Sequence, residues 1–132
     1  MKKEEKLYEV FGELLYALAK ADGVIKKEEK ETLKQLLKNH ALGSEILWSF
    51  EFEESHNSSV EEIYNKVINY CHVYGPAPQY DEFINAMKIV ADAKDGITAK
   101  ENNLINSFSE DLMERFQRDI DKLKKFEKRE NR

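Results

Sequence analysis

The chain has 132 residues, the size of one domain, and is long enough to bury a core without a metal or a disulfide. Hydrophobic residues make up 41% and charged residues 36%, with five glycines and two prolines, which fits a soluble protein of long helices and few turns. The net charge of -5 argues against a nucleic-acid partner, because phosphates require a basic footprint. The single cysteine, Cys71, excludes an internal disulfide and suits a reducing compartment, so the cytoplasm is the expected location. No apolar run approaches the roughly 20 residues of a membrane span. The start, Met1 to Lys6, lacks the apolar core of a secretion signal.

The first helix is predicted over about 4–21. Leu7, Val10, Phe11, Leu14, Leu15, Leu18 and Ala21 recur at helical spacing, and Tyr8 and Ala17 widen the stripe. Asp22-Gly23 ends it, since glycine takes the left-handed conformation that stops a helix. A second helix over about 27–39 buries Leu33, Leu36 and Leu37, with acidic residues in its first turn where the helix dipole favours them. Residues 44–54 are ambiguous: Trp48, Phe50 and Phe52 alternate like a strand, while Ile46, Leu47 and Phe50 suit a helix. No other stretch offers a partner strand, so a short helix is expected.

After a loop at 56–59, Ser59-Val60-Glu61-Glu62 forms a capping box. It opens a fourth helix through Val60, Ile63, Tyr64, Val67, Ile68, Cys71 and Tyr74, which Gly75-Pro76-Ala77-Pro78 terminates. The fifth helix, about 80–93, is apolar over most of its girth (Phe83, Ile84, Ala86, Met87, Ile89, Val90, Ala91), and this marks it as the central one. A sixth follows Thr98 and buries Leu104, Ile105 and Phe108. A seventh, about 110–127, carries Leu112, Phe116, Ile120 and Leu123. A basic tail at about 122–132 (Lys122, Lys124, Lys125, Lys128, Arg129, Arg132) could touch an anionic membrane or protein, although a solvated helix end explains it more simply.

An offset of 72 residues aligns the two ends of the chain without a gap. Phe11 falls on Phe83, Leu15 on Met87, Leu18 on Val90, Ala21 on Ala93, Ile25 on Ile97, Glu29 on Glu101 and Leu33 on Ile105. Only the Asp-Gly pair slips by one, from Asp22-Gly23 to Asp95-Gly96. The expected architecture is therefore an all-α, single-domain bundle of about seven helices, built from two related helix-turn-helix halves at about 4–40 and 76–110. The alternative is chance matching of two amphipathic helices.

Two such turns packed near a pseudo-twofold axis could gather Asp22, Glu29, Asp92, Asp95 and Glu101 into a site for Ca2+ or Mg2+, which favour carboxylate oxygens. A plainer use is available for each. Glu101 completes a capping box with Thr98, Glu29 stands at the same position behind Lys26, and Asp22 can stabilise its own turn. An EF-hand is excluded, since Leu18 and Lys20 occupy positions that should carry ligands. Cys71 and His72 are adjacent on a helix and point about 100° apart, so they form no thiolate-imidazole pair. No nucleophile has an evident base and orienter. Core packing is the main expected use of Trp48, Phe50 and Phe52, but one short helix cannot turn all three inward, which leaves part for a partner.

The arrangement Ala19-x-Ala21-Asp22-Gly23, then Ile25, then Glu29 in the first turn of the next helix resembles the TerB-like family. That family includes bacterial tellurite-resistance TerB proteins and a region of a membrane-anchored DnaJ-like co-chaperone. The weaker second copy is Ala91, Ala93, Asp95, Gly96, Ile97 and Glu101, and it departs from the pattern where Lys94 stands in place of Asp22. The resemblance implies an all-helical bundle over most of the chain, an acidic surface that binds a divalent cation, and a role in stress response or partner binding. The leading expectation is thus a non-enzymatic interaction module with a protein partner. A metal-dependent hydrolase using the acidic cluster and a purely structural domain are the alternatives.

Overall fold

A computed structural model describes residues 3–74, 79–93, 96–112 and 121. Among these residues are six α-helices and no strand: α1 (Lys3–Lys20), α2 (Lys27–Leu37), α3 (Gly43–Ser55), α4 (Val60–Tyr74), α5 (Tyr80–Ala91) and α6 (99–112). The all-α class and the first five helix spans are as expected to within two residues. Of the expected seventh helix, residues 110–112 belong to α6. The rest, apart from Asp121, lies outside the described residues, as does the basic end from Lys122 to Arg132.

The central helix is α1, which corrects the assignment of that role to the fifth. From Leu7 to Ala19 every residue except Glu9 is buried, and Leu14, Leu15, Tyr16, Ala17 and Leu18 have no exposed surface. Five consecutive buried residues exceed one helical turn, so α1 must be covered all round. It packs on α3, α4 and α5, while α2 packs on α3 and α5. By contrast Ile89 of α5 is 49% exposed, so α5 keeps one face in water. The expected burial of Leu36 also fails, since it is exposed.

Polar side chains reach the core because distant groups satisfy them. The fully buried Tyr16 donates its hydroxyl to the Ser58 carbonyl at 2.6 Å, which ties α1 to the loop between α3 and α4. Tyr64 of α4 donates to Asp111 of α6 at 2.7 Å. On α6 the residues Glu101, Ile105, Phe108 and Leu112 are buried at helical spacing, and Phe108 meets Tyr80 edge-on.

Residues 43–55 form a helix, so the alternation of Trp48, Phe50 and Phe52 is not that of a strand. Ile46, Ser49, Phe50 and Glu53 face inward, while Trp48 and Phe52, one turn apart, face out. The close crossing of α3 over α1 depends on Gly12. A Cβ there would collide with the Ile46 carbonyl oxygen and lie 2.8 Å from Ser49 Cβ. At that crossing Ser49 donates its hydroxyl to the Glu9 carbonyl at 2.7 Å.

Helix propensity alone says that Gly12→Ala should stabilise α1 by about 1 kcal/mol. The crossing reverses the sign: forcing α3 off α1 should cost ~1–3 kcal/mol net. Thermal and urea unfolding followed by far-UV circular dichroism should show a lower midpoint for the variant. An equal or higher midpoint would mean that α3 is free to move.

Candidate functional site

Gly23, just after α1, and Gly96, just before α6, share one backbone conformation. Gly23 has φ 93° and Gly96 has φ 85°, in the left-handed region that residues with a Cβ rarely occupy. The Gly23 amide donates to the Lys20 carbonyl at 2.7 Å, which closes the end of α1. Each turn then feeds a new helix whose third residue is a glutamate, Glu29 in α2 and Glu101 in α6.

The two turns meet. The Thr98 hydroxyl donates to the Asp22 carboxylate, with both oxygens at 3.0 Å, and accepts the Glu101 amide at 3.2 Å. The Glu101 carboxyl in turn accepts the Thr98 amide at 3.0 Å. Thr98 and Glu101 are thus a complete capping box whose hydroxyl also grips the other turn. The equivalent of Thr98 in the first turn is Lys26, whose ammonium lies 4.0 Å from Asp22. Both the Lys26 ammonium and its backbone amide favour the charged form of Glu29.

Glu29 and Glu101 face each other at the centre of this arrangement, 1% and 0% exposed. Apart from one another, both Glu29 oxygens and Oε2 of Glu101 have no hydrogen-bond partner. Two ionised carboxylates cannot satisfy each other, because each only accepts. One proton between them makes one an acid that donates and the other the acceptor. Burial, then the facing Glu101, push the Glu29 carboxyl up to about 8, against the weaker opposing pull of Lys26. Glu29 therefore keeps its proton at neutral pH.

Of the five expected cation ligands, the structure brings Asp22, Glu29 and Glu101 into one linked set. Asp92 caps the end of α5, its amide donating to the Lys88 carbonyl at 3.0 Å, and is not part of that set. Asp95 lies outside the described residues. Among the described residues no three His, Cys, Asp or Glu side chains converge as a metal site would require. Cys71 is buried, as expected, and burial pushes its thiol up to about 11, which makes it a poor nucleophile.

Three features went unread in the sequence. Glu82 accepts from Tyr8 and from His40, joining α1 and α5 to the loop after α2. Glu13, buried in α1, pairs with Lys66 of α4 at 3.0 Å; burial raises its carboxyl and Lys66 opposes the rise. His56 extends the outward rings of α3 into a stack of three. A glutamate inside the α1 stripe was a visible signal for Glu13, and the spacing of 48, 52 and 56 was one for the stack. Nothing local signals Glu82. No family model, no curated protein and no solved structure matches the chain.

The raised Glu29 carboxyl makes stability depend on pH. An unfolded glutamate loses its proton near its ordinary value of 4.5, while folded Glu29 holds it to about 8. Between those values the unfolded chain binds fewer protons, so this contribution is full below 4.5 and declines to nothing as pH rises through 8, by at most about 1.4 kcal/mol per pH unit. Glu29→Gln, a neutral stand-in for the acid, should remove this part of the slope and overtake the wild type at alkaline pH. Urea unfolding of both proteins from about pH 5 to 9 measures it. Parallel curves would contradict a proton held at Glu29.

Proposed function

We propose that the chain is a non-enzymatic interaction module, TerB-like and cytoplasmic, which docks a protein partner on the outer face of α3. The observation that carries this is the ring stack on that face. Trp48, Phe52 and His56 follow one another at single-turn spacing, with centroids 5.4 Å and 4.3 Å apart. Trp48 is 61% and Phe52 43% exposed, beside a core that accommodates Phe50 completely. Covering about half of two rings of roughly 200 Å² each, at ~25 cal/mol/Å², would contribute about 5 kcal/mol to binding. Large aromatics concentrated in one outward patch are typical of interface anchors.

The charge around the stack indicates the partner. α3 carries Glu45, Glu51, Glu53 and Glu54 and no lysine or arginine, and Lys30 of α2 is held by Glu54 at 2.7 Å and by Glu51 at 4.0 Å. An acidic rim around exposed rings, on a chain of net charge -5, suits an amphipathic helix whose polar face carries lysine or arginine.

Two facts support reading the chain as related halves. Phe11 and Phe83, matched by the offset of 72, stack with centroids 4.1 Å apart and planes 7° apart. Glu29 and Glu101, also matched, face each other. Residues related by a twofold meet each other only on its axis. A non-enzymatic role is favoured over a metal-dependent hydrolase because the acidic pair that the turns bring together is buried beyond a substrate's reach. A stress-response role is what the TerB-like resemblance adds. No helix of the described residues is long and apolar enough to cross a membrane. A divalent cation at the turns is the second reading, favoured by the unpartnered oxygens of Glu29 and Glu101. Calcium or magnesium bound there would displace the shared proton and flatten the pH dependence given above.

Trp48 is the only tryptophan, so its emission reports on this face directly. Titrating the full chain with a synthetic helix of leucine and lysine should give a saturable blue shift. A matched leucine-glutamate helix should give none. Phe52→Ala combined with Glu51→Lys should weaken binding by about ten-fold or more. No shift, or a shift indifferent to those substitutions, would remove the proposal.

A further inference from the structure

Between α2 and α5, on elements that do not include α3, lies an open pocket of about 420 Å³. Its floor is Phe11 and Leu37, both buried, and Ala86 forms a wall. Leu36 and Ile89 stand at the rim, 38% and 49% exposed. The volume falls in the range of small-molecule sites, roughly 300–1,000 Å³, and the lining matches their usual make-up of apolar walls with a few polar groups at one end.

The polar end has a definite hydrogen-bonding sense. Glu82 Oε2 accepts from the Tyr8 hydroxyl at 2.9 Å, and Oε1 lies 2.9 Å from His40 Nε2. The Leu42 amide donates to His40 Nδ1 at 2.9 Å. That bond requires a lone pair on Nδ1, so the proton of the neutral ring sits on Nε2 and is donated to Glu82. Both ring nitrogens are thereby engaged. The carboxylate retains acceptor capacity, since each oxygen can accept more than one bond, and Glu82 is partly open to solvent. Among the described residues, no lysine or arginine lines the pocket. An anion entering would meet Glu82 with no cation to offset it. A molecule that donates through a positive nitrogen would find an acceptor already oriented by Tyr8 and His40.

We propose that this pocket binds a small organic ammonium, with its apolar body over Phe11, Leu37 and Ala86 and its N–H groups directed at Glu82. The net charge of -5 favours the approach of a cation over an anion. This site is independent of docking at α3 and stands or falls separately.

The test uses the full 15N-labelled chain and two probes of similar apolar body and opposite charge, phenethylammonium and 3-phenylpropionate. Phenethylammonium should shift the amides of Leu36, Leu37, Asn85, Ala86 and Ile89 along saturable curves. The carboxylate should bind at least about ten-fold more weakly. Glu82→Gln should weaken the ammonium by about ten-fold, the effect expected when a charged acceptor becomes neutral. Because that change also touches Tyr8 and His40, a second variant is needed. Ile89→Lys alters an exposed rim position, brings a competing ammonium to the pocket and should abolish the shifts while leaving the remaining spectrum in place. Equal binding of the two probes, shifts that do not saturate, or shifts that survive Ile89→Lys would each overturn the assignment.

Discussion

A single proton between Glu29 and Glu101 is the condition on which the joining of the two turns depends. Two unit charges about 4 Å apart would repel by ~4 kcal/mol even at an effective dielectric of 20. A helix cap contributes about 1 kcal/mol, and an entire domain is stable by roughly 5–15 kcal/mol. The capping bonds around the pair could not hold two bare carboxylates together at 0–1% exposure. Once one carboxyl is an acid, repulsion becomes a hydrogen bond, and the orphan oxygens at the start of α2 and α6 acquire partners. The contacts then run in a circuit from Asp22 through Thr98, Glu101, Glu29 and Lys26 back to Asp22. Two helix starts remote in the chain are thereby held as one unit.

The remaining scaffold is arranged around α1. Its burial on all sides requires α3 to approach closely, which Gly12 permits, and requires every polar group on it to find a distant partner. Tyr8 finds Glu82, Glu13 finds Lys66 and Tyr16 finds the Ser58 carbonyl. These contacts position the surfaces that remain open. With Phe50 and Ser49 of α3 turned onto α1, Trp48 and Phe52 are left outside. With Phe11 stacked on Phe83, the rims of α2 and α5 stand apart over an apolar floor. The docking face and the pocket are both consequences of how the central helix is covered.

Helix positions were legible because apolar periodicity and turn chemistry are local. The Asp22-Gly23 stop, the Thr98 capping box and the stripes of α1, α2 and α4 needed nothing from elsewhere in the chain. The choice of central helix was not legible in the same way. Counting apolar residues around the girth favoured α5, yet Ile89 is half in water, while α1 buries a glutamate and two tyrosines. Long-range partners decide that outcome, and no local pattern records them. The site divides along the same line. Glu29 and Glu101 stood out as first-turn glutamates at matching positions, but that they share a proton depends on contact across 72 residues. Asp92, grouped with them in the sequence, is the residue that ends α5. Trp48 and Phe52 face out because α3 presents Ile46, Ser49 and Phe50 to α1, a choice the ring spacing alone left open.

The shared proton can be observed without unfolding the protein. Glutamate labelled with 13C at the side-chain carboxyl gives each group its own titration curve, and Glu29→Gln assigns the resonance that matters. The account predicts one carboxyl that stays protonated through neutral pH and titrates near 8. It should be absent from the variant. If instead every glutamate completes its titration in the ordinary acidic range near 4.5, no proton is held between Glu29 and Glu101. The two turns would then have to be joined by some other interaction.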